Sequence, residues 1–132
     1  MTREEIYHDI EQTLGIVPSF MKSIPDEFLA NEWDLFKRIQ LGETTIPNKY
    51  KELMGVAVSA ATRCRFCALF HSEAAKLHGA TDAEIEEAVH FAKLSSGWSV
   101  YIHGMQTDYE EFKTELHTIT EYLKGKAQQK AA

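Results

Sequence analysis

Cysteine is scarce in this chain: its 132 residues hold two. Two cysteines cannot build a disulfide scaffold, so a small fold held by covalent staples is excluded and the chemistry of the pair becomes the question. Glycine, at seven residues, and proline, at three, are also few, which excludes collagen-like and low-complexity chains. Basic charge is short, with 14 Lys+Arg against 20 Asp+Glu and a net charge of -6. No general field draws phosphate backbones or anionic lipid, and neither nucleic acid nor a membrane is expected as a partner. No apolar stretch approaches the roughly 18 residues needed to cross a bilayer. The opening Met-Thr-Arg-Glu-Glu leads into a mixed polar segment without the apolar block of a secretory signal, so the cytoplasm is the expected compartment.

What is present is a globular composition, 44% hydrophobic and 26% charged, in a length that suits one domain. The apolar spacing is helical throughout and predicts an all-α helical bundle with no strand and no repeat. Ile6, Ile10 and Leu14 mark a first helix closed by Gly15. A short turn of helix over 19–23 precedes a long helix from Pro25 to about Leu41, with Phe28, Leu29, Trp33, Phe36 and Ile39 on its apolar face. Pro47 opens a helix over 48–62 whose second half, from Leu53 to Ala61, is apolar or small on every side, which predicts burial all round and packing between subunits. A cysteine-bearing helix follows from Arg63 to His78. Thr81 and Glu84 form a capping box for the next helix, with Ile85, Ala88, Val89, Ala92 and Leu94 facing inward. Ser95-Ser96-Gly97 leaves open whether that helix is interrupted. Asp108 and Glu111 mark the start of a last helix carrying Phe112, Leu116, Ile119 and Leu123. A single domain over 1–125 is expected, with 126–132 a mobile tail that has nothing to bury.

The strongest signal is Cys64-Arg65-Phe66-Cys67-Ala68-Leu69-Phe70-His71 at the start of a helix. Residues three and four apart share a helix face, so Cys64 reaches Cys67, and His71 lies one turn beyond Cys67, leaning back toward its sulfur. The exposed N–H groups of a first helical turn, with Arg63 and Arg65 nearby, favour thiolate over thiol. Such a dithiol attacks a peroxide oxygen or a disulfide, and the second cysteine resolves the product by closing an intramolecular bridge. Glu52 is useless to this site on an unbroken helix. If the chain turns as an antiparallel hairpin near Thr62, however, Glu52 faces His71 and completes a Glu–His–Cys relay. Cys67, one turn from His71, is the favoured site of deprotonation, with Cys64 the more exposed position that exchanges with a donor. The helix terminus also allows the opposite assignment.

Glu52, Cys64, Cys67 and His71 at these spacings, on a small-residue helix followed by Leu77-His78-Gly79-Ala80-Thr81-Asp82-Ala83-Glu84-Ile85, resemble the AhpD-like members of the carboxymuconolactone decarboxylase family. The resemblance covers about 47–105, with a weaker echo in Gly15-Ile16-Val17-Pro18. It implies an all-helical fold assembling into homotrimers or homohexamers. It also implies a thiol peroxidase or disulfide reductase with no bound cofactor, recharged by an external thiol such as a dihydrolipoyl group, free or on a lipoylated protein. Cys64 and Cys67 would be the redox pair, with Glu52 and His71 in the proton relay. Phe66 departs from the pattern of AhpD proper, which has a histidine directly before the second cysteine.

Other readings compete. The cysteines could be small buried hydrophobes that never react. Cys64, Cys67 and His71 could hold zinc if His78, His90 or His103 completed the set, giving a metal-binding or redox-sensing module. The lyase chemistry of the wider family would need an anion site and would have no use for the cysteine pair. His8, His90 and His117 receive no role. His103 reads as a core histidine more than a site residue, and Phe66, Phe70 and Trp98 as core or interface aromatics, with Phe66, between the cysteines, also able to shape substrate access.

Overall fold

The computed structural model describes residues Met1–Ala132 and is all helical, with no strand. It divides into two compact units, Met1–Phe91 and Ala92–Ala132. No helix is long and apolar enough to cross a membrane.

In the first unit, α1 (Arg3–Leu14) starts at a capping box in which Thr2 and Glu5 satisfy each other's backbone N–H groups. It ends at Gly15, whose left-handed φ of 81° closes the helix onto the Glu11 carbonyl. Its stripe of Ile6 and Ile10 packs with Met21 of α2 (Ser19–Lys22) and with Leu29 and Trp33 of α3 (Asp26–Leu35) to form the core. Each such side chain contributes about 1.5–3 kcal/mol when fully buried. Polar ties frame that core. The Trp33 indole N–H and the Lys37 ammonium both donate to Asp9, at 2.7 and 2.8 Å. Lys37 first, then Trp33, holds the Asp9 carboxyl below its ordinary range. Arg3 pairs with Asp26 and donates to the Ile24 carbonyl at 2.6 Å, pinning α1 to the start of α3.

The helix expected to run unbroken to Leu41 instead widens into a π-helical segment at Phe36–Leu41. The carbonyls freed at its end are taken by α4 (Asn48–Thr62). Lys51 Nζ donates to Ile39 O at 2.6 Å and Gly42 O at 2.8 Å, and Asn48 Nδ2 to Leu41 O at 3.1 Å. The first turn of α4 is thereby fixed against the π segment. The all-round burial expected of α4 is not found within the chain. Glu52, Val56 and Ser59 form one buried face, while Met54 and Val58 on other faces are exposed.

α4 closes on Arg63, a non-glycine residue in the left-handed region at φ 57°, and α5 (Arg65–Leu77) begins two residues later with Cys64 as its N-cap. The two helices form the most extensively packed pair in the chain. This is the expected hairpin, turning at Arg63–Cys64. The Thr81–Glu84 capping box opens α6 (Asp82–Gly104), and the Lys49–Glu84 ion pair at 2.7 Å ties α6 to α4. α6 continues helical through Ser95–Gly97 without interruption. Of its expected core residues, Ala92 is buried, Ile85 and Ala88 are half-buried, and Val89 and Leu94 are exposed.

In the second unit, α7 (Tyr109–Ala131) starts at Asp108, whose carboxylate accepts from Glu111 N–H at 2.8 Å, as the sequence predicts. No residue of α7 is buried. Residues from Lys126 on, expected as a mobile tail, continue the helix to Ala131, and all of them are exposed.

Candidate active site

The first turn of α5 assembles the dithiol. As N-cap, Cys64 turns its sulfur back over the helix end, where it accepts the Cys67 N–H at 3.3 Å. That places the two unbridged sulfurs 2.7 Å apart. The Cys64 thiol is held below its ordinary value, first by the Cys67 thiol and then by the Cys67 backbone N–H, both of which donate to the thiolate. The Cys67 thiol is raised, first by the Cys64 sulfur and then by burial. The two titrate as a pair in which the first negative charge rests on Cys64. The order of exposure is the reverse of that expected, for Cys64 is half-buried and Cys67 exposed.

His71 lies one turn further along α5. Its Nδ1 is 2.6 Å from Oε2 of Glu52, which is 2% exposed. A carboxylate only accepts, so Nδ1 carries a proton, and in the neutral imidazole the Nε2 lone pair is then free to act as a base. The ring also meets Phe70 edge-on, with centroids 5.3 Å apart. The hairpin therefore brings Glu52, Cys64, Cys67 and His71 together, as the residues predict.

Cys67 and His71 open onto one cleft of about 680 Å³, walled by Phe66 and Phe70 of α5, Phe20 of α2, and Phe36 and Gln40 of the π segment. Phe20, Phe36 and Gln40 also line an adjoining cleft of about 430 Å³ that continues past Leu35 and Ile39. Helix spacing places Phe36 on an apolar face and gives no sign that Phe20 and Gln40 line a cleft. Their only signal, Phe36 and Gln40 four apart, is indistinguishable from ordinary helix spacing. Phe70, expected as core or interface, is a cleft wall, and Phe66 is 75% exposed with the Arg65 guanidinium 5.1 Å from its ring centre. His78, His90 and His103 are exposed, and no group of three or more His, Cys, Asp or Glu side chains is gathered as a metal site would be.

This is an all-helical protein with a dithiol at a helix N-terminus and a buried carboxylate–imidazole pair beside it. Residues 27–107 match the carboxymuconolactone decarboxylase family, and the chain belongs to that family. It is 31% identical over 81 residues to "Uncharacterized protein 4 in cox locus" of Paracoccus denitrificans, covering 61% of this chain and 68% of that protein. Its fold is similar to the crystal structure of the alkylhydroperoxidase AhpD core from Rhodospirillum rubrum. The TM-score is 0.72 at 25% identity, over 84% of this chain and 85% of the other. The fold is thus AhpD-like.

Proposed function

We propose that the chain is a dithiol oxidoreductase that reduces an organic hydroperoxide or small disulfide at Cys67. The observation that carries this reading is that Cys67 and His71 share one apolar cleft while Cys64 waits 2.7 Å behind Cys67. His71 Nε2 takes the Cys67 proton as the sulfur attacks the outer peroxide oxygen. The S–O bond forms, the O–O bond breaks, and the departing alkoxide takes the proton from His71, leaving Cys67 sulfenic acid and an alcohol. Cys64, already the more acidic thiol, attacks the Cys67 sulfur as thiolate, the S–S bond forms, the S–O bond breaks, and hydroxide leaves as water with a proton from solvent. An external dithiol, of which a dihydrolipoyl group is the proposed type, returns the two electrons and two protons and leaves as its own disulfide. Glu52 holds the imidazole in the tautomer that keeps Nε2 free. We also propose that the chain acts in the cytoplasm as a homotrimer or homohexamer, in line with the AhpD-like fold.

The test is turnover of cumene hydroperoxide with dihydrolipoamide, with intact mass read after one equivalent of peroxide. Loss of two hydrogens in the wild type, and a trapped sulfenic acid on Cys67 in Cys64→Ser, are expected. Turnover that survives Cys64→Ser/Cys67→Ser would sink the dithiol reading.

A further inference from the structure

We infer that Gly55 is a positioning residue of this site, and that its missing side chain is what seats the His71 imidazole on Glu52. A glycine inside a helix weakens it, so its presence asks for a reason. Backbone freedom is not the reason, because the glycines with positive φ are Gly15 and Gly79, whereas Gly55 lies within α4. Space is. A Cβ built on Gly55 would stand 2.3 Å from Nδ1, 2.5 Å from Cγ and 2.6 Å from Cε1 of His71, closer than atoms ever approach without something moving. The other glycines within helices, Gly97, Gly104 and Gly125, have nothing within 4 Å of such a Cβ. Gly55 alone is filled from the outside by a catalytic ring.

The ring is held where it stands by contacts on two sides, with the cleft its one way out. Its Nδ1 is held at 2.6 Å by a buried carboxylate, and Phe70 stands against its edge. Glu52 lies three residues before Gly55, so carboxylate and seat belong to one face of α4. Ser59, next along that face and 2% exposed, donates its hydroxyl to the Gly55 carbonyl. A methyl group at 55 pushes the imidazole off α4, lengthens the contact with Glu52 and swings Nε2 in the cleft. The seat is a matter of geometry, but its effect on catalysis rests on the proposed role of His71 as base.

Gly55→Ala tests this, alongside His71→Ala and the double variant. The first readout is the downfield imidazole N–H proton resonance of a ring donating to a carboxylate, expected in the wild type and absent in Gly55→Ala. The second is cumene hydroperoxide turnover with dihydrolipoamide, expected to fall about ten- to a hundred-fold in Gly55→Ala, the scale of a misplaced catalytic group. In the double variant it should fall no further than in His71→Ala. Retention of the resonance and of turnover in Gly55→Ala overturns the inference, as does a further loss when Gly55→Ala is added to His71→Ala. If Gly55→Ala fails to fold, the double variant decides. Recovery of folding supports a clash with the ring, and continued misfolding overturns it. A His71→Ala variant with full turnover, beside a Gly55→Ala variant that loses the resonance, would retire the relay and leave the seat standing.

Discussion

At the residue scale, the site asks two acids to behave differently within one helical turn. Cys64 is made the stronger acid by donors aimed at its sulfur, the Cys67 thiol first among them. Its thiolate therefore forms at lower pH than a free cysteine, which titrates near 8.5. Alkylation of Cys64 by iodoacetamide should accordingly reach half its maximal rate at lower pH than that of an unperturbed cysteine. Cys67→Ala removes the leading donor, and the Cys64 midpoint should move up toward the free value, cutting its rate at pH 7 several-fold. Mass-resolved alkylation across pH reads both. In the wild type Cys67 titrates above its ordinary range. Linkage gives the two groups opposite signs. The lowered Cys64 stabilises the fold above its unfolded pKa and loses that contribution as pH falls through the folded one. The raised Cys67 contributes below its unfolded pKa and loses it as pH rises. Glu52→Gln tests the relay on its other side. The neutral amide keeps the shape but withdraws the charge that supports an imidazolium, so turnover should fall about ten- to a hundred-fold, within the range of lost general acid–base catalysis. Wild-type turnover in this variant would mean that Glu52 is a packing residue. Cys64, Cys67 and His71 are legible in sequence because their chemistry is tied to helix spacing, whereas Glu52 is reached only through the hairpin and the family resemblance. Gly55 is not legible, because nothing in a sequence says which ring will fill the space a glycine leaves.

At the element scale, the site depends on the joint between α4 and its neighbours. Cys64 can serve as N-cap because Arg63 turns the chain in the left-handed region, where a non-glycine residue costs about 1–2 kcal/mol. Arg63→Gly relieves that strain at some cost in unfolded-state entropy and should stabilise the protein by about 0.5–1 kcal/mol, read by denaturant unfolding. The cleft wall opposite is the π segment. Lys51 is its clamp through two backbone carbonyls, where an ammonium–carbonyl bond contributes about 1.5–3 kcal/mol. Lys51→Met should loosen Phe36 and Gln40, raising KM for a bulky hydroperoxide more than it lowers kcat. An unchanged KM would separate the wall from substrate binding. Helix spacing predicts where α3 begins, and it even places Phe36 on an inward face. The widening to π geometry is invisible to it, as are the partners that the carbonyls at its end find on α4, twelve residues away for Ile39 and Lys51.

At the scale of the whole molecule, the sequence predicts inward faces that the single chain leaves bare. Leu94, Trp98 and Tyr101 of α6, Met105 just beyond its end, and Phe112, Leu116, Ile119 and Leu123 of α7, are all exposed. Their alternating three- and four-residue spacing is that of a helix seam built to meet other helices. From Leu94 to Thr107 the chain carries no Asp, Glu, Lys or Arg, which is not how a solvated helix is composed. The apolar pattern was legible here and its burial was not, because a periodicity says that a face must be covered without saying by which chain. The proposed self-association supplies the cover, with Met54 and Val58 of α4 as a further open apolar face. A charge placed mid-seam should then break the assembly without touching the cysteines. Leu116→Asp is expected to convert the oligomer to smaller species in light scattering coupled to size exclusion. The pH profile of Cys64 alkylation should stay as in the wild type, because the dithiol is built within the first helical turn of α5. An unchanged mass would show that α7 is covered by something other than a second copy. A changed alkylation profile would show that the dithiol is completed only by the assembled protein.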